Sequence, residues 1–241
     1  MSLDDLLAAI GEGAPSPRGL VRRVWVCAEC RRSCPEGAKF CEPCAERERG
    51  ERQRAHLAGA WESIPERFRD ACQWDWDTKR GATIALVLSQ GGSFLLRGKP
   101  GVGKTALACA VLGRHLTQAT APLATWSDVE DAASMRYVTD ADLNRAVSAH
   151  PLGQGDAPLY REAVRAKLLV LDELGVDLAS LRRAGRDVLF ARYDARRPTI
   201  VTTGHERAQV EAHWGGGAGR RIWTQSLDVN MDAFPPMEVV R

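Results

Sequence analysis

Residues 93–112 read SFLLRGKPGVGKTALACAVL, an apolar run followed by G-x-x-x-x-G-K-T and an alanine-rich segment. The pattern predicts a strand that ends at a glycine-rich loop, from which a helix begins. Gly98, Gly101 and Gly103 permit backbone conformations that a Cβ would obstruct, so that successive N–H groups can turn inward around phosphates. The positive end of the helix favours the same anion. The segment therefore predicts a site for the phosphates of a nucleotide.

The residue types in this loop assign specific contacts. We expect Lys104 to reach the β and γ phosphates of ATP as a point charge, and the Thr105 hydroxyl to hold Mg²⁺. A glycine-rich turn can match such a pattern by chance, but this one has a strand before it and a helix after it. The predicted nucleotide-binding residues of the loop are Gly98, Lys99, Pro100, Gly101, Val102, Gly103, Lys104, Thr105 and Ala106.

A second apolar run, AKLLVLDELG at residues 166–175, ends in two adjacent carboxylates. Ionised carboxylates at the end of a buried strand need a partner, because desolvating them unpaired is costly. We predict that Asp172 holds Mg²⁺ through a hydroxyl or a water, and that Glu173 polarises the water that attacks the γ phosphate. Together with Lys104 they are predicted catalytic residues. The alternative is that the Asp-Glu pair only caps the next turn.

Short apolar runs alternate with helical stretches along the chain, which indicates an α/β fold with a parallel sheet covered on both faces. The predicted strands are Ser93–Leu96, Leu123–Trp126, Leu168–Leu171, Thr199–Thr202 and Leu227–Val229.

The segment PTIVTTG, residues 198–204, ends its strand in paired threonines. We expect Thr203, or its neighbour Thr202, to hydrogen-bond the γ phosphate or the attacking water. The alternative is that the two threonines have no contact with a ligand and are present because threonine favours β-strands.

Five of the seven cysteines fall between Cys27 and Cys44. Two C-x2-C pairs, Cys27 with Cys30 and Cys41 with Cys44, supply four thiolates at the spacing of a tetrahedral Zn²⁺ site. A segment with so few apolar groups needs a metal to fold. An iron–sulfur cluster is the alternative, since Cys34 adds a fifth thiol.

Composition restricts the class of protein. The net charge of +2 does not by itself indicate nucleic-acid binding, and 44% hydrophobic with 27% charged residues is typical of a globular chain. No run reaches the ~20 apolar residues of a membrane span, so we expect a cytoplasmic protein. The predicted organisation is a helix and linker at 1–24, a zinc module at 25–46, a charged linker helix at 47–60 and an ATPase domain at 61–241.

The motifs and their order resemble the AAA+ helicase-loader family typified by DnaC and the related transposition helper ATPases typified by IstB. WESIPERFRD at residues 61–70 is similar to the "IPERF" segment of these proteins. RYDARRPTIVTT at 192–203 resembles their run into the sensor strand, and WGGGAGRRI at 214–222 resembles their "YG.G..RRL" segment. The resemblance covers roughly residues 61–231.

The resemblance implies a P-loop NTPase fold with a five-stranded parallel sheet, the P-loop strand central, and a homo-oligomer with ATP at subunit interfaces. It implies that Arg221, with Arg220 second, reaches the ATP of a neighbouring subunit as an arginine finger. Gly204 stands where the family often has Asn, which leaves the sensor residue unassigned. The family also implies that no C-terminal lid domain is present.

Three functions fit these residues. The first is a DNA-replication ATPase that places a replicative helicase on single-stranded DNA. The second is a transposition helper that assembles on duplex DNA and directs a transposase. The third is a nucleotide-gated adaptor that hydrolyses little ATP and acts through its zinc module.

Overall fold

The computed structural model describes residues 25–73, 78–121, 124–175 and 183–234. The chain divides into two compact units, residues 1–51 and 52–241. The division falls within the segment 47–60, for which a linker helix is predicted, and helix α1 (Glu42–Ser63) runs through that segment. The helix and linker predicted within residues 1–24 lie outside the described residues.

The first unit is built around two antiparallel strands, β1 (Trp25–Val26) and β2 (Ser33–Cys34), followed by the start of α1. The backbone N–H of Cys27 donates to the carbonyl of Arg32 at 2.8 Å, which closes a tight turn between the two strands. The apolar core of this unit consists of cysteines and Phe40. Such a core buries too little apolar surface to stabilise a fold by itself, so the cysteines must contribute in another way.

The second unit alternates helices and strands. Its helices, in chain order after α1, are α2 (Glu66–Arg69), α3 (Thr78–Gln90), α4 (Lys104–Gln118), α5 (Trp126–Ala133), α6 (Asp140–Ala149), α7 (Pro158–Arg165), α8 (Ala184–Asp194), α9 (Arg207–Trp214) and α10 (Gly216–Gln225). Its strands are β3 (Ser93–Arg97), β4 (Arg136–Thr139), β5 (Leu169–Asp172), β6 (Thr199–Thr203) and β7 (Ser226–Asn230). Every helix in the described part of the chain is too short or too polar to cross a membrane.

The five strands form one parallel sheet in the order β4-β5-β6-β3-β7. The expectation that the P-loop strand is central is therefore wrong in detail, because β6 is the middle strand and β3 lies between β6 and β7. Strand β3 is still interior and buried along Phe94–Leu96. Parallel strands end at the same edge of a sheet, so the loops after β3, β5 and β6 converge there.

The strand predicted for Leu123–Trp126 is also wrong over its described residues, 124–126. Trp126 begins helix α5, and Thr125 caps that helix in a capping box with Asp128. A capping box satisfies free N–H groups of the first turn, and this local chemistry outweighs a short apolar run. The missing strand is β4, which pairs with β5 and contains only two apolar side chains.

The sheet separates two apolar layers. Phe94 and Leu96 contribute to one layer, which includes helix α4, whereas Leu95 points into the other, with helices α6 to α8. This alternation is the period of two expected for a strand covered on both faces. The described chain continues to Phe234 after β7, and no helical lid domain follows the sheet within it.

A buried arginine connects the second layer to the sheet. Arg192 on α8 has no exposed surface, and desolvation lowers the pKa of its guanidinium to about 9. Its donors are satisfied by backbone carbonyls and a hydroxyl: Ala163 at 2.8 Å, Val164 at 3.2 Å, Ala166 at 2.7 Å, Pro198 at 2.6 Å and Thr199 Oγ1 at 2.9 Å. The side chain therefore holds the end of α7 and the start of β6 together.

Candidate functional site

The glycine-rich loop connects β3 to α4 at the carboxyl edge of the sheet. Gly103 precedes α4 with a φ of 90°, in the left-handed region that favours glycine. Gly98 has a φ of 145°, and a Cβ there would lie 3.0 Å from Oδ1 of Asp232. The same Oδ1 accepts a hydrogen bond of 2.8 Å from the Lys99 N–H. Asp232 thus anchors the start of the loop, a contact for which the local sequence carries no signal.

Lys104 extends back across this loop. Its Nζ donates to the carbonyl of Gly98 at 2.7 Å and to that of Lys99 at 2.9 Å. Partial burial lowers the pKa of Lys104, while Asp172 and other nearby carboxylates oppose the shift. Neutral carbonyls are weak partners for an ammonium group, so the loop holds a partly desolvated cation that an anionic ligand can engage.

Three hydroxyl groups converge on the Asp172 carboxylate, which is 2% exposed at the end of β5. Thr105 Oγ1 donates to Oδ1 at 2.9 Å, which joins the first turn of α4 to β5. Thr202 Oγ1 donates to Oδ1 at 2.5 Å and Tyr137 Oη to Oδ2 at 2.6 Å. The structure therefore brings the two predicted magnesium ligands, Thr105 and Asp172, into direct contact.

Glu173 differs from Asp172 in both backbone and exposure. Its φ is 57°, a left-handed conformation that costs a non-glycine residue about 1–2 kcal/mol. Its N–H donates to Thr202 Oγ1 at 2.9 Å, which fixes this turn. The side chain is exposed at the carboxyl edge. Strained backbone of this kind is concentrated at functional sites.

The two threonines at the end of β6 have different roles in the structure. Thr202 contacts Asp172, as described above, whereas Thr203 Oγ1 donates to the carbonyl of Leu174 at 2.9 Å and accepts from the His205 N–H at 3.1 Å. Successive side chains of a strand point to opposite faces, which explains the split. A contact between Thr203 and a nucleotide stays a prediction. Gly204 is exposed beside these residues.

Arg221 lies away from this edge. It lines a pocket together with Ser93, Thr199 and Ser226, which are the first residues of β3, β6 and β7. The guanidinium packs over the ring of Phe190, with Cζ 4.5 Å from the ring centroid. The structure therefore does not bring Arg221 together with Lys104 or Asp172 of the same chain. Arg220 is exposed on the same helix.

The first unit brings four cysteines together. The Sγ atoms of Cys27, Cys30, Cys41 and Cys44 all lie within 4.8 Å of one another. A tetrahedron with Zn–S bonds of about 2.3 Å has sulfurs about 3.8 Å apart, so the four thiols fit Zn²⁺. The pKa shifts of these thiols differ: hydrogen bonds from the backbone N–H groups of Cys30 and Cys41 lower the pKa of Cys27 to about 6, whereas burial raises the pKa of Cys44.

Cys34 is outside this group. Its Sγ lies 3.6 Å from the Ala38 carbonyl, and burial raises the pKa of its thiol. Cys34 is not among the four sulfurs that lie within 4.8 Å of one another, so a four-thiol set forms without it.

No family model matches the sequence, and no curated protein matches it. Among solved structures, a crystal structure of DnaI aligns with a TM-score of 0.53 at 20% sequence identity, over 69% of this chain and 94% of that one. A crystal structure of the DnaC helicase loader aligns with a TM-score of 0.51 at 20% identity, over 69% of this chain and 99% of that one. The chain shares its fold with these two structures. This confirms the predicted fold class and, at the level of the fold, the resemblance noted from the sequence.

Proposed function

We propose that this protein is an ATPase that binds Mg-ATP at the loop 98–106. The contact between Thr105 Oγ1 and Asp172 Oδ1 carries the proposal, because it joins the phosphate-binding loop to an acidic strand end at one edge of the sheet. Lys104 exchanges its two carbonyl acceptors for phosphate oxygens, and the loop N–H groups bind the remaining oxygens. Thr105 and Asp172 would hold Mg²⁺, which would supply positive charge to neutralise the phosphates.

Glu173 is the residue that we assign to water activation. Glu173 is exposed next to the buried Asp172, and its backbone is left-handed, with a φ of 57°. Three hydroxyl groups donate hydrogen bonds to the Asp172 carboxylate and fix its orientation, which suits it to hold a cation. The exposed carboxylate of Glu173 can instead accept a proton from an attacking water. The two adjacent carboxylates thereby take different roles.

We further propose that ATP hydrolysis serves to place a replicative helicase on single-stranded DNA. The support is the fold shared with the DnaC helicase loader. We assign the first unit to partner docking, with Zn²⁺ held by Cys27, Cys30, Cys41 and Cys44. In an oligomer with ATP at the subunit interfaces, Arg221 acts on the ATP of the neighbouring subunit, since it lies at the other edge from its own loop.

The test is an affinity pull-down from host extract with the Glu173→Gln variant held in ATP. We expect a replicative helicase to be recovered, and we expect none with the Lys104→Ala variant, which cannot bind nucleotide. Recovery of a transposase would favour the transposition helper that acts on duplex DNA. If ATP is demonstrably bound and no helicase is recovered, the loader proposal is wrong.

A further inference from the structure

The backbone turn at residues 173–175 follows strand β5 and includes Glu173, to which water activation is assigned above. Glu173 has a φ of 57° and Gly175 a φ of 76°, both in the left-handed region. A non-glycine residue stays in this region only where surrounding contacts hold it there. The placement of the Glu173 side chain therefore depends on the groups that fix this turn.

Two threonines of strand β6 fix the first part of the turn. Thr202 Oγ1 accepts a hydrogen bond of 2.9 Å from the Glu173 N–H, and the Thr202 carbonyl accepts one of 2.9 Å from the Leu174 N–H. Thr203 Oγ1 donates to the Leu174 carbonyl at 2.9 Å. Both threonines are buried, and hydrogen bonds shielded from water in this way are stronger than exposed ones.

His205 fixes the last residue of the turn. Its Nε2 lies 2.7 Å from the carbonyl oxygen of Gly175, and because a carbonyl oxygen only accepts, the imidazole must donate from Nε2. The Gly175 N–H donates to Asp140 Oδ2 at 3.1 Å. Both backbone polar groups of this buried glycine are thus bonded to side chains, and His205 supplies the bond to the carbonyl.

His205 is itself held in place by strand β6. Its backbone N–H donates to Thr203 Oγ1 at 3.1 Å, and the same hydroxyl donates to the Leu174 carbonyl. The side chain of His205 is half-buried, and Gly204, which separates it from the strand, has no side chain of its own to offer. One network of hydrogen bonds therefore runs from the end of β6 through Thr203 and His205 to the turn at 173–175.

We infer that His205 is a positioning residue for Glu173 in ATP hydrolysis. Its bond to the Gly175 carbonyl holds the strained turn, so that the Glu173 carboxylate stays where it can accept a proton from the attacking water. The inference rests on the proposed ATPase function. Among the described residues, His205 forms no hydrogen bond with Lys104 or Asp172, so its loss should leave nucleotide binding intact.

The first test is steady-state ATP hydrolysis by the full chain at one fixed protein concentration. His205→Phe keeps a ring but removes the N–H donor, so we expect kcat to fall at least about tenfold, because small displacements of a reacting group reduce the rate on this scale. KM for ATP and the affinity for a fluorescent ATP analogue should stay within about twofold of wild type. His56→Phe is the matched control, since His56 is exposed on α1 and its ring contacts Trp126.

His205→Gln separates hydrogen bonding from packing. The glutamine amide can donate from near the position of the imidazole Nε2, so kcat should stay within about threefold of wild type. Equal losses in His205→Phe and His205→Gln would overturn the inference. A rise in KM at unchanged kcat would also overturn it, since His205 would then contact the nucleotide. If His205→Phe does not fold, His205→Ala takes its place, and an unchanged kcat in the folded variant overturns the inference.

A double-variant cycle shows whether His205 acts through Glu173. Single-turnover hydrolysis in Glu173→Gln/His205→Phe should equal that in Glu173→Gln alone, because His205 then has no carboxylate left to position. A further loss in the double variant would show an independent role and overturn the inference. Retained hydrolysis in Glu173→Gln alone would overturn both the proposed role of Glu173 and this inference. A large loss in Glu173→Gln with no loss in His205→Phe would overturn only this inference and leave the proposed ATPase function standing.

Discussion

The phenol of Tyr137 donates a hydrogen bond of 2.6 Å to Oδ2 of Asp172 and connects strand β4 to the acidic end of β5. Burial raises the pKa of Tyr137, and the neighbouring carboxylate raises it further, so the phenol remains a donor at neutral pH. Thr202 bonds to the other oxygen, and Thr105 lies 2.9 Å and 3.1 Å from the two oxygens, so Tyr137 and Thr202 hold the carboxylate from opposite sides. Tyr137 is thus a positioning residue for the proposed magnesium site.

We expect Tyr137→Phe to raise the Mg²⁺ concentration needed for half-maximal ATP hydrolysis about tenfold, because groups that orient a metal ligand contribute on that scale. Binding of Mn²⁺ followed by electron paramagnetic resonance, in the presence of ATP, should weaken in parallel. Tyr160→Phe is the control, since Tyr160 does not contact Asp172. An unchanged Mn²⁺ affinity would show that the contact is only structural.

The parts of this site that the sequence predicts are those with a local signature. The loop 98–106 is recognised by its glycine spacing, and the acidic end of β5 by an unbroken apolar run. Tyr137 and Asp232 carry no such signature, because their contacts with Asp172 and Lys99 cross 35 and 133 residues of chain. Strand β4 escapes prediction for a related reason, since the two apolar residues of RYVT show no clear period.

Substitutions at Lys104 and Glu173 should separate nucleotide binding from ATP turnover. Lys104→Ala removes the ammonium group that extends across the loop 98–106 to the carbonyls of Gly98 and Lys99, and we expect it to abolish nucleotide binding. Glu173→Gln keeps the shape of the side chain and removes its basicity, so ATP should bind normally while turnover falls by at least about 100-fold. A fluorescent ATP analogue and a phosphate-release assay measure the two effects. Retained hydrolysis in Glu173→Gln would exclude Glu173 from water activation.

Removal of the metal should affect only the first unit. Zn²⁺ at the proposed four-thiol site would supply the stability that the small core of this unit lacks, so we expect a chelator to unfold residues 25–46 while ATP binding persists. Cys30→Ser should abolish the one bound zinc measured by mass spectrometry, whereas Cys34→Ser should retain it, because Cys34 lies outside the four-thiol group. Loss of ATP binding on chelation would contradict the independence of the units. Visible absorption with bound iron would identify an iron–sulfur cluster instead.

The buried guanidinium of Arg192 predicts a large effect on stability at a distance from the nucleotide site. Arg192→Met removes the donor to three buried acceptors, the carbonyls of Ala163 and Ala166 at the end of α7 and the Thr199 hydroxyl at the start of β6. Each unsatisfied buried group costs about 1–3 kcal/mol, so the free energy of unfolding should fall by at least about 3 kcal/mol. Arg207→Met, which removes an exposed ion pair with Glu211, should change it by less than about 1 kcal/mol. Urea denaturation of both variants gives the comparison, and equal small losses would show that water replaces Arg192 at its acceptors.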